Sequence, residues 1–489
     1  MKKLIVIVFI IFGAFLTLCL YKTFAYDTSV VEEVPSTTDL EYTFKIGNSS
    51  IKQITVDSGE TRYYDIVLGN PNNAKISYGV YYEMVSPSTK PDGYSIEYTS
   101  KSTGNSTGKV DKNGNITLNL VVTNASISTV TVKLGTVAGY VNGGELTLGS
   151  GQVIIPKALV NAVELITNLN DGTTGDSGSG VYKIIHSAIP AGSSATGSEI
   201  PAVTDYRYYG PSPNNYICLD MEGQSTCPDK HLYRIIGSIY DEKENTNRLK
   251  LIKVTPLTDG TTSEFSWDYR VFNNGGVVYS NIWASITSGN YSNSLTSGSQ
   301  LMKLLNSGAW WNGTSGSYYN DSTTATTVNF TNYKLSDKAK SYITTSRYYL
   351  GGYNTSRGVM TNQFYVYERG TLRSLTAEPL YWEGMVGLMY PSDYGYAAGN
   401  SCVSGTKLYN YNGGCRIKDW LYISNDHQWL MSPHSDDSRF VFYVGKGGLF
   451  DTNLNDYTYA VRPVFYLNSS ASITNGDGSL NNPYLITLE

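Results

Sequence analysis

The sequence predicts a multi-domain, β-rich chain: an N-terminal all-β sandwich of immunoglobulin-like type, then a C-terminal α+β domain. Three observations carry this. The 489 residues exceed what one core usually holds, which suggests two or three domains. Strand-length apolar segments recur through residues 41–155, separated by Gly, Asn and Pro turns. Beyond residue 181 the character changes, since all seven Trp and four of the five Cys lie there among long Gly/Asn/Ser loops.

Residues 1–25 read as an export segment. Met1-Lys2-Lys3 precedes an uncharged apolar run from Leu4 to Tyr21, the order of a basic n-region and an apolar core. The run is close to the ~18 residues that span a bilayer, and Thr23-Phe24-Ala25 is an acceptable cleavage site. A cleaved signal peptide and a retained membrane anchor both stay open. Residues 26–40 form a polar spacer with Glu32, Glu33 and Pro35.

The composition fits a cell-surface or secreted protein. Only 16% of residues are charged, against ~25% in typical domains, while 42 are Tyr. Tyr and Thr suit half-buried pleated surfaces. A net charge of −5 gives no basic field for nucleic acid.

For the sandwich, strands are expected at Tyr42–Ile46, Thr61–Leu68, Ile76–Met84, Tyr94–Tyr98, Ile116–Thr123 and Val130–Gly139. Ile116, Leu118, Leu120 and Val122 alternate with period two, as do Val130, Val132 and Leu134. Segments 156–180 should hold one helix and a Gly/Ser linker. Pro156 can open the helix, and Leu159, Val160, Val163, Ile166 and Leu169 return at helical spacing. Within the linker, Gly175-Asp176-Ser177-Gly178 matches the nucleophile segment of chymotrypsin-like proteases. The His and Asp of that machinery precede the Ser, yet the first His here is His186, so a linker is the reading kept.

In residues 181–489, helices are expected at Gln300–Asn306 and at Ser336–Thr345, with Ser336 as N-cap. Cys218 and Cys227 form one local pair and Cys402 and Cys415 another. Local disulfides are favoured, although four cysteines allow three connectivities. A zinc site from Cys218, Cys227 and His231 lacks the C-x-x-C spacing, and neither His427 nor His434 lies near a thiol. No metal or cofactor is expected.

The C-terminal stretch is the most specific. Trp429-Leu-Met-Ser-Pro433 is followed by His434-Ser-Asp-Asp-Ser-Arg439, Phe440–Val444, a Gly445-Lys-Gly-Gly448 turn, and Ala460-Val-Arg-Pro-Val-Phe-Tyr-Leu467. Leu232–Gly237, Pro391–Tyr396 and the terminus Asn475–Leu485 add matching pieces. Over roughly 205–489 this order resembles an uncharacterised family of exported bacterial proteins. That resemblance implies a C-terminal domain of the C-type-lectin fold in its formylglycine-generating-enzyme variety. It carries over no chemistry. The cysteines here read as structural, and Glu378-Pro379-Leu380 replaces the Glu-Pro-Asn of calcium-dependent sugar sites.

Expected contacts for a ligand lie in the loops between Ser432 and Tyr459. Arg439, Phe442, Tyr443, Phe450 and Tyr457 are anchor types, while Asp436, Asp437, Asn453 and Asn455 supply polar contacts. Arg462 is expected to be a structural donor. The expected role is non-enzymatic recognition of an extracellular glycan or protein. A structural envelope component is the alternative. A glycan hydrolase would draw on Glu378, Glu383, Asp393 and Asp419, but no spacing selects a pair among them.

Overall fold

The computed structural model describes residues 43–46, 52–99, 101–140, 146–271, 277–278, 281–284, 286–287, 290–291, 298–320, 322, 324–374 and 378–488. The expected export segment, the expected spacer and Tyr42 of the first expected strand lie outside the described residues. Among the described residues no helix is long and apolar enough to cross a membrane. The chain divides into two compact units, Met1–Ala158 and Leu159–Glu489.

The first unit is built from nine strands: β1 (Thr43–Ile46), β2 (Gln53–Val56), β3 (Glu60–Gly69), β4 (Ile76–Ser86), β5 (Tyr94–Tyr98), β6 (Thr107–Val110), β7 (Asn115–Asn124), β8 (Val130–Tyr140) and β9 (Gln152–Ile154). One antiparallel sheet runs β1-β3-β7-β5. The other runs β2-β8-β4-β6, with β9 also on β4. The period-two pattern decides which side chains face inward: Ile116, Leu118, Leu120 and Val122 are buried, as are Val130, Val132 and Leu134. Both sheets contribute to one core, which also takes in Val56, Ile66, Leu68 and Val80. The β6–β7 connection turns at Asn113 with φ of 54°, a left-handed position that Asn tolerates. β2, β6 and β9 escaped the sequence reading, being three or four residues long.

The second unit begins with β10 (Val160–Asn161), which pairs with Ile473 and Ser472. The helix expected from Pro156 starts only at Ala162 and ends at Asn168, because Asn161 caps it: its Oδ1 accepts from Val163 N at 3.0 Å and Glu164 N at 3.2 Å. The segment read as a linker is tied down as well. Ser212 N donates to Ser179 Oγ, Tyr209 Oη donates to Ser177 O, and Asn400 N donates to Gly175 O.

The main sheet of this unit contains β11 (Gly180–His186), β12 (Val203–Tyr209), β13 (Tyr216–Cys218), β14 (Leu232–Asp241) and β15 (Thr246–Lys253). It continues through Val464–Leu467 on one side and Tyr484–Leu488, parallel to β13, on the other. Gly237 permits the close approach of β12 to β14, since a Cβ there would lie 2.3 Å from Tyr206 O. A separate three-stranded sheet comprises Gln428–Pro433, Phe440–Val444 and Phe450–Leu454. The expected helix Gln300–Asn306 is present, capped by Ser299. Ser336 caps a helix as expected, but only over Asp337–Ser341, after which Ile343 and Thr344 join the main sheet. Helices Thr361–Glu368, Pro391–Ala397 and Asn400–Gly405 were not foreseen. The core is strongly aromatic, with Trp267, Trp283, Trp310 and Trp429 all fully buried.

Two disulfides, Cys218–Cys227 and Cys402–Cys415, join the local pairs, with Cα–Cα distances of 5.9 and 5.8 Å. Such bridges belong to an oxidising, extracytoplasmic environment.

Candidate functional site

The three-stranded sheet decides what the residues between 432 and 459 can offer a ligand. Register sets Trp429 opposite Tyr443, and Tyr443 opposite Asp451. Alternation then divides Phe440–Val444 between two faces. Phe442 turns inward and stacks on Phe450 at 5.0 Å, with Phe364 edge-on to both. Tyr443 points to the other face and stays half-buried.

Around Tyr443 the chain gathers an aromatic set. The Tyr443 and Tyr459 rings are 5.0 Å apart, and the His427 ring stacks on Tyr459 at 4.9 Å. Tyr457, 48% exposed, adjoins Tyr459 at 6.4 Å. Beneath them Trp429 is fully buried, 4.5 Å from Tyr459, and its Nε1 donates to Phe265 O at 2.9 Å. The Asn453 side-chain amide donates to Tyr459 Oη, and Asp451 accepts from Ser356 Oγ at 2.7 Å. The tyrosines are thus braced from below and from the side.

The electrostatics here are quiet. Burial pushes the Tyr443 hydroxyl up to about 12 and raises that of Tyr459, so both remain protonated donors. Burial, with Lys446 nearby, lowers His427, which is therefore neutral at pH 7. The set can offer ring faces, hydroxyls and an amide to a neutral, hydroxyl-rich molecule.

Of the nine expected contact residues, the structure brings Tyr443, Asn453 and Tyr457 together around Tyr459. Asp436, Asp437 and Arg439 sit at the opposite end of the middle strand. Arg439 closes on Asp437 in a two-pronged pair, Nη2 to Oδ2 at 2.7 Å and Nε to Oδ1 at 3.0 Å, and this pairing holds the Asp437 carboxyl low. Backbone amides of Asp436 and Asp437 donate to His434 Nδ1. This is a self-satisfied turn. Three expected contacts are corrected: Phe442, Phe450 and Asn455 are fully buried, Phe442 and Phe450 in the aromatic core and Asn455 beneath the turn, where its N donates to Arg439 O. His427, Asp451 and Tyr459 were not singled out for this face. Strand alternation could have paired Tyr457 with Tyr459, but their meeting with His427 depends on the fold.

Arg462 is the expected structural donor, giving Nε to Gln428 Oε1 and Nη2 to Leu421 O. The carboxylates weighed for hydrolysis are engaged separately. Glu378 accepts from Trp283 N, Glu383 pairs with Arg347, and Asp419 accepts from Leu421 N. Asp393 belongs to a closed ion network in which Arg207 Nη1 lies 2.8 Å and Lys250 Nζ 2.5 Å from its two oxygens. Arg207 also grips Asp205, which accepts from His186 Nε2 at 3.0 Å. All five side chains of this network are nearly inaccessible, so it joins β11, β12, β15 and the helix Pro391–Ala397 rather than meeting solvent.

The zinc set of Cys218, Cys227 and His231 is removed by the disulfide, which consumes both thiolates. Asp220, Glu222 and His231 do converge, with ligand atoms within 4.8 Å of one another. Lys230 Nζ already lies 2.9 Å from Glu222, however, and Ser336 Oγ and Lys338 hold Asp220.

No family model, curated protein or solved structure matches this chain.

Proposed function

We propose that this is an exported, non-enzymatic surface protein that recognises an extracellular ligand, best matched by a glycan, through the tyrosine set of its second unit. In this reading the first unit is an immunoglobulin-like spacer and the second a lectin-like recognition domain. One observation carries it: the half-buried Tyr443 and the exposed Tyr457 flank the buried Tyr459, which stacks on His427 above a fully buried Trp429. A ring held in place from below loses little entropy on binding, and a sugar can lay its C–H face on the ring while its hydroxyls meet an amide such as that of Asn453. Binding is favoured over catalysis because the buried carboxylates have separate structural partners.

The test is a broad glycan and extracellular-protein array probed with the disulfide-bonded protein and two variants. Changing Tyr443 and Tyr457 to Ala should weaken the retained ligand by about 30-fold, the loss of a hot spot worth ~2 kcal/mol. Changing Asp436, Asp437 and Arg439 to Ala should leave it bound. The opposite result would move recognition to the turn, and a retained protein in place of a glycan would correct the ligand class.

A further inference from the structure

A second surface of the same unit has the makings of a peptide site. β11 is an edge strand: it pairs with β12, and among the described residues no strand lies on its other flank. Register decides which backbone groups face outward. Val181 O accepts from the Asn170 side chain at 3.1 Å, away from β12. Tyr206, opposite Lys183, directs its carbonyl towards Gly237 of β14. Antiparallel alternation therefore turns the N–H and C=O of Lys183 and Ile185 to the free flank.

Along that flank runs a cleft of about 510 Å³, lined by β11, the 170–174 turn, Asn362, Tyr396, Asn400 and Val403. Its amides are pre-set. Asn400 uses its N–H on Asp176 Oδ1, which presents its own oxygen as an acceptor, whereas Asn362 Oδ1 accepts from Gln363 N and leaves its NH₂ as a donor. The floor is apolar and rigid. Ile184 and Val403 pack on the buried Tyr182, Tyr209, Tyr365 and Tyr396, and Tyr182 Oη donates to Tyr396 O at 2.8 Å. Ile185, on the opposite face of the strand, is 71% exposed, a large apolar side chain that an edge strand normally avoids.

We propose that an extended peptide segment of a partner protein binds here by adding a strand to β11, with its backbone on Lys183 and Ile185. One row of its side chains would enter the cleft over Ile184 and Val403, which calls for aliphatic residues. The other row would lie beside Ile185 and Lys183. Among the described residues Lys183 is the only charged side chain lining the cleft, so a carboxylate belongs next to it. A sugar fits less well than a peptide. The Tyr182 and Tyr396 rings are 4% and 3% exposed and offer no face to stack on, whereas outward backbone groups match another backbone.

The experiment is selection from a random heptapeptide library on the intact, disulfide-bonded chain, followed by hydrogen exchange of the enriched peptide's complex. Enriched sequences should combine acidic and aliphatic residues, and should slow exchange at the Lys183 and Ile185 amides. Lys183→Pro removes one outward N–H at a position where an edge strand tolerates Pro, and should weaken binding about tenfold or more, whereas Lys183→Ala should weaken it less. Should Lys183→Pro lower the melting temperature, Val403→Glu decides instead, since it blocks the cleft from outside the strand. Failure to enrich any peptide, unchanged binding by both variants, or protection of these amides by sugars instead of peptides would overturn the proposal.

Discussion

At the scale of single residues, burial separates charges that matter from charges that do not. Asp393 and Asp437 each pair with arginine, yet Asp393 is fully enclosed while the Asp437–Arg439 pair is open to solvent. Asp393→Ala leaves Lys250 buried without a counter-charge and takes from Arg207 one of its two carboxylates, the other being Asp205, and should cost about 3–5 kcal/mol in denaturant unfolding. Asp437→Ala should cost at most ~1 kcal/mol. Similar losses for both would mean that the turn, too, is a structural joint. Glu368 makes a prediction of pH dependence. Burial raises its carboxyl from the ordinary 4.5 to about 7, against the pull of Arg369 and Ser392. The unfolded chain releases this proton first as pH rises, so the group's contribution is full below pH 4.5 and is lost as pH climbs to about 7. Glu368→Gln should therefore gain stability relative to the parent protein between those two values. A parallel pair of pH–stability curves would refute the assignment.

At the scale of elements, strands of the first unit were legible because one face is wet and the other dry. Six were expected, and their central residues coincide with β1, β3, β4, β5, β7 and β8. Of the short strands β1 was placed, whereas β2, β6 and β9 were not, since three or four residues leave little room to display a period. In the second unit, the helix Gln300–Asn306 was legible from the spacing of Leu301, Met302, Leu304 and Leu305, and the start of the next from the capping side chain of Ser336. Helices Thr361–Glu368 and Pro391–Ala397 could not: several of their aromatic and polar residues are buried together, which erases the contrast that periodicity needs. The candidate site shows the same limit. Tyr443 and Tyr457 were readable as anchors by residue type, but alternation around Phe442 and the closure of Asn455 under Arg439 are facts of register. The disulfides lend themselves to an element-scale test. Cys402 and Cys415 are 13 residues apart, and losing a bridge around a loop of that size should cost about 3 kcal/mol. Unfolding of a double Cys→Ser variant, measured in denaturant, checks this; an unchanged midpoint would contradict it.

At the scale of the whole molecule, the two units have separate cores and unequal dependence on oxidation, because both disulfides lie in the second. Heating in reductant should lower the transition of the second unit and leave that of the first in place. Equal shifts in both would show that the cores are energetically one. The account of function rests on a braced aromatic surface in the second unit, and hydroxyl-radical footprinting of the intact protein with its array-selected ligand examines that surface most directly. The expected result is protection of Tyr443 and Tyr457, with Tyr63, exposed on the first unit, oxidised as before. Full oxidation of Tyr443 and Tyr457 in the saturated complex, with protection elsewhere, would contradict it.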